Sequence, residues 1–179
     1  MHGIILCELQ RYGRARLGAS GWNKVLEQAQ LGGTTYLMGA SYPDEHVIAL
    51  VQAAAGIAGQ PPVVLLEDFG EFIAPTLVTI YKPLVKPDWK TLDVIEHAEA
   101  SIHAAVRRRE TAATPPRLAV RRESPTVAVL TYSSQRRMCA VAKGIARGLA
   151  KHYGERLTIS EGACMATGAP ACLIRFQVG

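Results

Sequence analysis

Apolar residues recur at helical spacing through roughly the first 110 positions and at alternate positions after that. Trp22, Val25, Leu26 and Ala29 share one helical face behind Ser20, a side chain suited to N-capping. Residues 44–58 repeat the pattern, with Asp44 as a capping candidate and Val47, Ile48, Val51 and Ala55 on one face. Pro61-Pro62 interrupts the chain before an apolar helix over 63–69. Gly70 either ends that helix or lets two backbones approach closely. A further helix is expected over 73–84. A longer one is expected over 89–109, where Leu92, Ile95, Ala98, Ile102 and Val106 keep the period. Thr114-Pro115-Pro116 stops this region, because proline lacks an N–H and restricts the residue before it.

Beyond the prolines the period changes. Residues 117–122 and 126–132 alternate as paired strands across a Glu-Ser-Pro turn. A helix over 138–152 turns Ala142, Ile145, Ala146 and Leu149 inward, and Gly154 suits its C-cap. Two more strands are expected over 156–160 and 171–178. The order strand, strand, helix, strand, strand predicts an antiparallel four-stranded sheet packed with helices. The fold class is therefore α+β. A helical lobe over about 1–62 precedes an α/β lobe over about 63–179, together forming a single domain.

Composition narrows the function classes. Of 179 residues, 49% are hydrophobic, enough for a sizeable core. No apolar run approaches the roughly 20 residues needed to span a bilayer, so no membrane insertion is expected. The first nine residues are largely apolar, but Glu8 and Arg11 interrupt them and no cleavage pattern follows. A soluble, cytoplasmic protein is expected. The net charge of +5 raises nucleic acid as a partner. Its distribution argues against that. Arg107-Arg108-Arg109 falls at a helix end, where cations suit the helix dipole, and no aromatic residues interleave with the basic runs.

The residues that can carry chemistry are few. The sequence has no convincing nucleophile–base pair and no glycine-rich phosphate loop, so it does not read as an enzyme. Glu96 and Glu99 lie on the long helix, where exposed glutamates are common. His103 sits on the same helix among Ile102, Ala104 and Val106, and alone it signifies little. His97 is six residues away and does not share its face. In the strand before the second-half helix, Tyr132 and Ser134 share a face, and Arg136 follows at the strand's end. Two hydroxyl donors and a guanidinium fork suit a pair of carboxylates.

Together these features resemble the haem nitric-oxide/oxygen-binding (H-NOX) family, the sensor fold shared with soluble guanylate cyclase. Tyr132-x-Ser134-x-Arg136 is similar to that family's propionate-binding signature. His103 precedes Thr114-Pro115-Pro116-Arg117-Leu118 at the family's usual spacing. Met1-His2-Gly3-Ile4-Ile5 and Phe69-Gly70-Glu71-Phe72 also resemble family segments, so the likeness runs nearly end to end. It implies haem b as cofactor, with His103 as the iron ligand and Tyr132, Ser134 and Arg136 on the propionates. It places Pro116 against the macrocycle on the proximal side, and Ile5, Leu77, Val141 and Ile145 along an apolar pocket. Oxygen-binding members carry a distal tyrosine donor where this chain has Val141. Neighbouring distal positions fall near Leu9 and Ile73, and none of the three can donate a hydrogen bond. The resemblance thus implies a sensor of NO (and CO). Gas binding would weaken the His103–iron bond and shift the lobes. The output would pass to a separate protein such as a histidine kinase or a cyclic-di-nucleotide enzyme.

Four cysteines add a second candidate. Cys7 lies in the first helix and reads as a small core residue. Cys139, Cys164 and Cys172 fall in the second half, the last two across the turn Thr167-Gly168-Ala169-Pro170. Some bacterial H-NOX proteins carry zinc on three cysteines and a fourth ligand here. The fourth position is Glu161 in this chain, where relatives have Cys or His. The alternative is three half-buried thiols without metal, able to form a disulfide. The competing function is accordingly a thiol or zinc redox sensor, or a module for another hydrophobic ligand, on the same fold without haem.

Overall fold

The structure, a computed structural model, describes residues 1–110 and 113–179. It forms two compact units, Met1–Phe69 and Gly70–Gly179.

The first unit contains α1 (Gly3–Gln28), α2 (Asp44–Ala58) and the start of α3 (Pro62–Tyr81). The backbone leaves the helical region at Gly18 (φ 72°, ψ 173°), dividing α1 into two segments. Ser20 therefore lies inside the second segment rather than capping it; the glycine two residues earlier makes the break. His2 caps the first segment, its Nδ1 accepting from the Ile4 N–H at 3.2 Å. Pro43 occupies the N-cap of α2, and Asp44 is the first helical residue, where its charge suits the dipole. Leu6, Trp22, Val25, Val47 and Leu50 are fully buried in this unit. The Tyr12 hydroxyl donates to Asp68 at 2.8 Å, and Arg16 holds both oxygens of the same carboxylate at 2.9 and 2.7 Å. Cys7 is half-buried rather than a core residue, its thiol donating to the Tyr36 carbonyl at 3.3 Å.

The two helices expected over 63–69 and 73–84 are one. α3 runs through both Gly70 and Pro75 and ends in a 3₁₀ turn, Lys82–Leu84. Gly70 serves close approach, not termination. A Cβ there would sit 2.3 Å from the Val141 carbonyl oxygen and 2.9 Å from the Gly144 Cα. The long helix expected over 89–109 is also divided. α4 (Thr91–His97) and α5 (Ala104–Arg109) flank a π-helical turn, Glu99–His103.

The rest of the second unit is a four-stranded antiparallel sheet, as the alternation predicts. Its strands are β1 (Arg117–Ser124), β2 (Val127–Ser133), β3 (Leu157–Ala163) and β4 (Cys172–Val178), in the order β1-β2-β4-β3. Between β2 and β3 runs α6 (Cys139–Tyr153), closed by Gly154 in the left-handed conformation. One face of the two central strands is buried: Ala128, Leu130 and Tyr132 from β2, and Cys172, Ile174 and Phe176 from β4. They pack with Leu92 and Ile95 of α4 and with Ala146 and Leu149 of α6. Thr91 begins α4 with its N–H donating to Glu155 at 3.0 Å, which ties the helix to the end of α6. Among the described residues no single helix is long and apolar enough to cross a membrane.

Gly70→Ala should destabilise the protein by about 1–3 kcal/mol, because the added methyl meets backbone that cannot rotate away. Gly56→Ala, in the interior of α2 with open space around it, should stabilise by about 0.5–1 kcal/mol. Denaturant unfolding of the two variants checks both signs.

Candidate haem and thiol sites

His103 is the last residue of the π-helical turn, and its side chain is 17% exposed. Glu99, at the start of that turn, accepts a hydrogen bond from His103 Nδ1 at 3.0 Å. The same carboxylate accepts from Arg107 Nη2 at 2.7 Å and from the Leu118 N–H of β1 at 3.2 Å. A carboxylate only accepts, so the imidazole carries its proton on Nδ1 and its lone pair on Nε2. Burial lowers the His103 pKa, with the Glu99 carboxylate opposing it, and the ring is neutral at pH 7. Burial acts to raise the Glu99 carboxyl. The hydrogen bonds from His103 and Arg107 outweigh it and hold the carboxyl below its usual range.

Glu99 is the residue that reading the sequence passes over. It is half-buried rather than exposed, as is Glu96, which pairs with Arg122 at 3.4 Å. The available signal is its spacing: four residues before His103, a carboxylate on a helical turn faces the imidazole. His97 is engaged elsewhere, stacked on Trp89 at 4.3 Å between ring centroids.

The three signature residues lie at the end of β2 and just beyond it. Tyr132 is buried opposite Leu118 on β1 and Cys172 on β4. Its pKa is pushed up to about 12, chiefly by burial, so the hydroxyl remains a donor at physiological pH. Ser134 is half-buried and accepts from the Arg136 backbone N–H at 3.2 Å. The Arg136 guanidinium grips Thr114, donating to its carbonyl and its hydroxyl at 2.6 Å each. The connection therefore closes on itself. Arg136 holds Thr114; Pro116, two residues on, turns its backbone toward His103; and Leu118, two further, reaches Glu99. Pro116 itself is half-buried. Ile73 and Val141 are buried, while Leu77 and Ile145 are half-buried. Ile5 belongs to the first unit and is half-buried there.

This donor set fits a haem. A neutral imidazole with Nδ1 already engaged presents Nε2 to a metal. Two hydroxyls and a guanidinium suit paired propionates.

The thiols form a separate cluster. Cys139 begins α6, Cys164 follows β3 and Cys172 begins β4. Cys139 Sγ lies 3.7 Å from Cys164 Sγ, which lies 3.8 Å from Cys172 Sγ. One oxygen of Glu161 joins them, all four ligand atoms falling within 4.8 Å of one another. All four cysteines are free. Zinc–sulfur bonds of about 2.3 Å at tetrahedral angles place sulfurs roughly 3.8 Å apart, against about 2.05 Å in a disulfide. The observed spacing matches the former. Glu161 also pairs with Lys143 at 3.3 Å. Burial pushes the Cys139 thiol well up, and its contacts with the Cys172 and Cys164 sulfurs push it further. Cys172 is raised too, first by burial, although the Met165 N–H donating to its sulfur at 3.2 Å opposes this.

Comparison with known proteins supplies the family. No curated protein sequence gave a match. The crystal structure of an H-NOX protein from S. oneidensis in the Fe(II)NO ligation state is 27% identical. It superposes with a TM-score of 0.92 over 100% of this chain and 99% of that one. An NMR structure of an H-NOX domain from Shewanella oneidensis in the Fe(II)CO state is 27% identical, with a TM-score of 0.88 over 100% and 99%. The unliganded Fe(II) H-NOX protein of K. algicida is 19% identical and shares the fold, with a TM-score of 0.89 over 100% and 97%. The haem-NO-binding family profile matches residues 2–161, and the chain belongs to that family.

Proposed function

We propose that the chain is a haem-based gas sensor, selective for NO (and CO) over O2, that signals to a separate protein rather than catalysing a reaction. The observation that carries this reading is His103. It is half-buried, its Nδ1 is engaged, and it stands in the same unit as Tyr132, Ser134 and Arg136. When bound, haem b supplies a ferrous iron that takes up diatomic gases. His103 holds the group from Nε2. Tyr132, Ser134 and Arg136 fix its carboxylates, and Pro116 presses on it from the His103 side. Leu77 and Ile145 contribute apolar wall.

Selectivity follows from what the distal residues lack. By the family resemblance the distal positions of the second unit are Ile73 and Val141, both buried and apolar; Leu9, in the first unit, is buried and apolar too. Bound O2 carries partial negative charge and needs a hydrogen-bond donor, a need that NO shares far less. Release of His103 would free a π-helical turn whose backbone is already irregular, a type of turn often found at functional sites. The signal is then a shift of population between two states of the chain. A histidine kinase or a cyclic-di-nucleotide enzyme is the class of partner proposed.

At the thiol cluster we propose structural zinc on Cys139, Cys164, Cys172 and Glu161. The sulfur spacing supports this reading. The alternative is metal-free thiols that respond to oxidants on a chain without haem.

Three outcomes are expected. Ferrous, haem-loaded protein in air should give no long-lived oxy spectrum, while NO should shift the Soret band; a stable oxy complex overturns the selectivity. His103→Ala should lose the NO-dependent spectral change with its far-UV circular dichroism intact. Elemental analysis should find about one zinc per chain, falling below about half in Cys139→Ser. Less than half in the unsubstituted protein favours free thiols.

A further inference from the structure

We propose that Glu99 is a positioning residue for the iron ligand: it fixes the His103 tautomer and strengthens the imidazole as a donor. This rests on the reading of His103 given above. The geometry places Glu99 Oε2 at 3.0 Å from Nδ1, the nitrogen that does not face the metal when Nε2 is the ligand. The carboxylate is itself fixed. Arg107 holds Oε1 from one turn of α5, and the Leu118 N–H reaches Oε2 from β1. Three elements of the unit thus converge on one carboxylate, so its orientation does not depend on rotamer chance.

Two consequences follow. A proton on Nδ1 leaves the Nε2 lone pair for a metal before any metal arrives, so no tautomer change is needed on binding. A carboxylate partner also draws the Nδ1 proton toward itself. The ring gains imidazolate character and donates more strongly than one bonded to a neutral group. The bond that the gas must weaken is thereby set by a residue that touches neither haem nor gas. Arg107 moderates the effect, since its charge draws electron density from the same carboxylate. The Pro116 backbone is the other group that faces the ring.

The test uses the chain without haem and then with it. In the haem-free protein, long-range ¹⁵N–¹H spectra of the His103 ring should show the Nδ1–H form alone. Glu99→Ala should bring in the Nε2–H form. An Nε2–H ring in the unsubstituted chain, or a spectrum unmoved by Glu99→Ala, overturns the proposal. In ferrous, hemin-loaded protein, the iron–imidazole stretching band should move to lower frequency in Glu99→Gln. Haem transfer to an apo-globin scavenger should quicken, on the order of 10–100-fold. Gln keeps an acceptor for the Leu118 N–H, so this variant isolates the charge from the anchoring of β1. A band that stays in place in Glu99→Gln overturns the proposal. His103→Gly separates the two levels. If that substitution leaves the band unchanged, His103 is not the ligand and the parent reading fails. If it abolishes the band while Glu99→Gln leaves it in place, the role of Glu99 alone is lost.

Discussion

The register of β2 is the constraint on which the second unit depends. Tyr132 stands opposite Leu118 on one side and Cys172 on the other. Leu118 carries the N–H that fixes Glu99, and through Glu99 the imidazole of His103. Cys172 is one corner of the thiol cluster. One row of the sheet therefore positions both sites. Side chains alternate between faces, so a slip of a single residue would turn Tyr132 to the open face and displace both anchors. The buried alternation of Ala128, Leu130 and Tyr132 on β2, matched by Cys172, Ile174 and Phe176 on β4, is what specifies the register.

Much of this was legible in the amino-acid pattern. The period of two over 117–122, 126–132, 156–160 and 171–178 pointed to the sheet, and the offset of two between Tyr132 and Ser134 put both on one face. What stayed hidden depended on partners distant in sequence. Gly70 could not be read as a stop or a close approach, because the deciding atom is the Val141 carbonyl, 71 residues further along the chain. A capping-type side chain marks a helix start only where the backbone already breaks, and in α1 the break is made by Gly18, at positive φ, two residues before Ser20. The π-helical turn has no marker residue: Glu-Ala-Ser-Ile-His contains neither proline nor glycine.

Glu99 shows the difference most sharply. Its spacing to His103 was visible, yet that spacing alone stabilises an exposed pair by only a few tenths of a kcal/mol. It becomes a fixed element because β1 arrives with a donor from nineteen residues on. Helix periodicity says nothing about that arrival. The prolines at 115 and 116 do, in part, since they force the extended turn that brings Leu118 back to the helix.

The same economy of partners holds the start of α6 in place. Arg136 grips Thr114 on the His103 side, and three residues later Cys139 begins α6, the helix that carries Val141 and Ile145. The Val141 carbonyl in turn packs on Gly70 of α3. The start of α6 is thus held by the guanidinium before it, by the thiol cluster at its first residue and by backbone contact at its third. In the sensor proposed above, an apolar Val141 would favour NO only if it stayed dry and in place; a helix end that frayed would admit water as a donor. The thiol cluster brings Cys139 against Cys164 at the end of β3 and Cys172 at the start of β4, where the proposed zinc would pin it. In that sensor the cysteines would act on gas choice through rigidity, whether or not they also sensed oxidants.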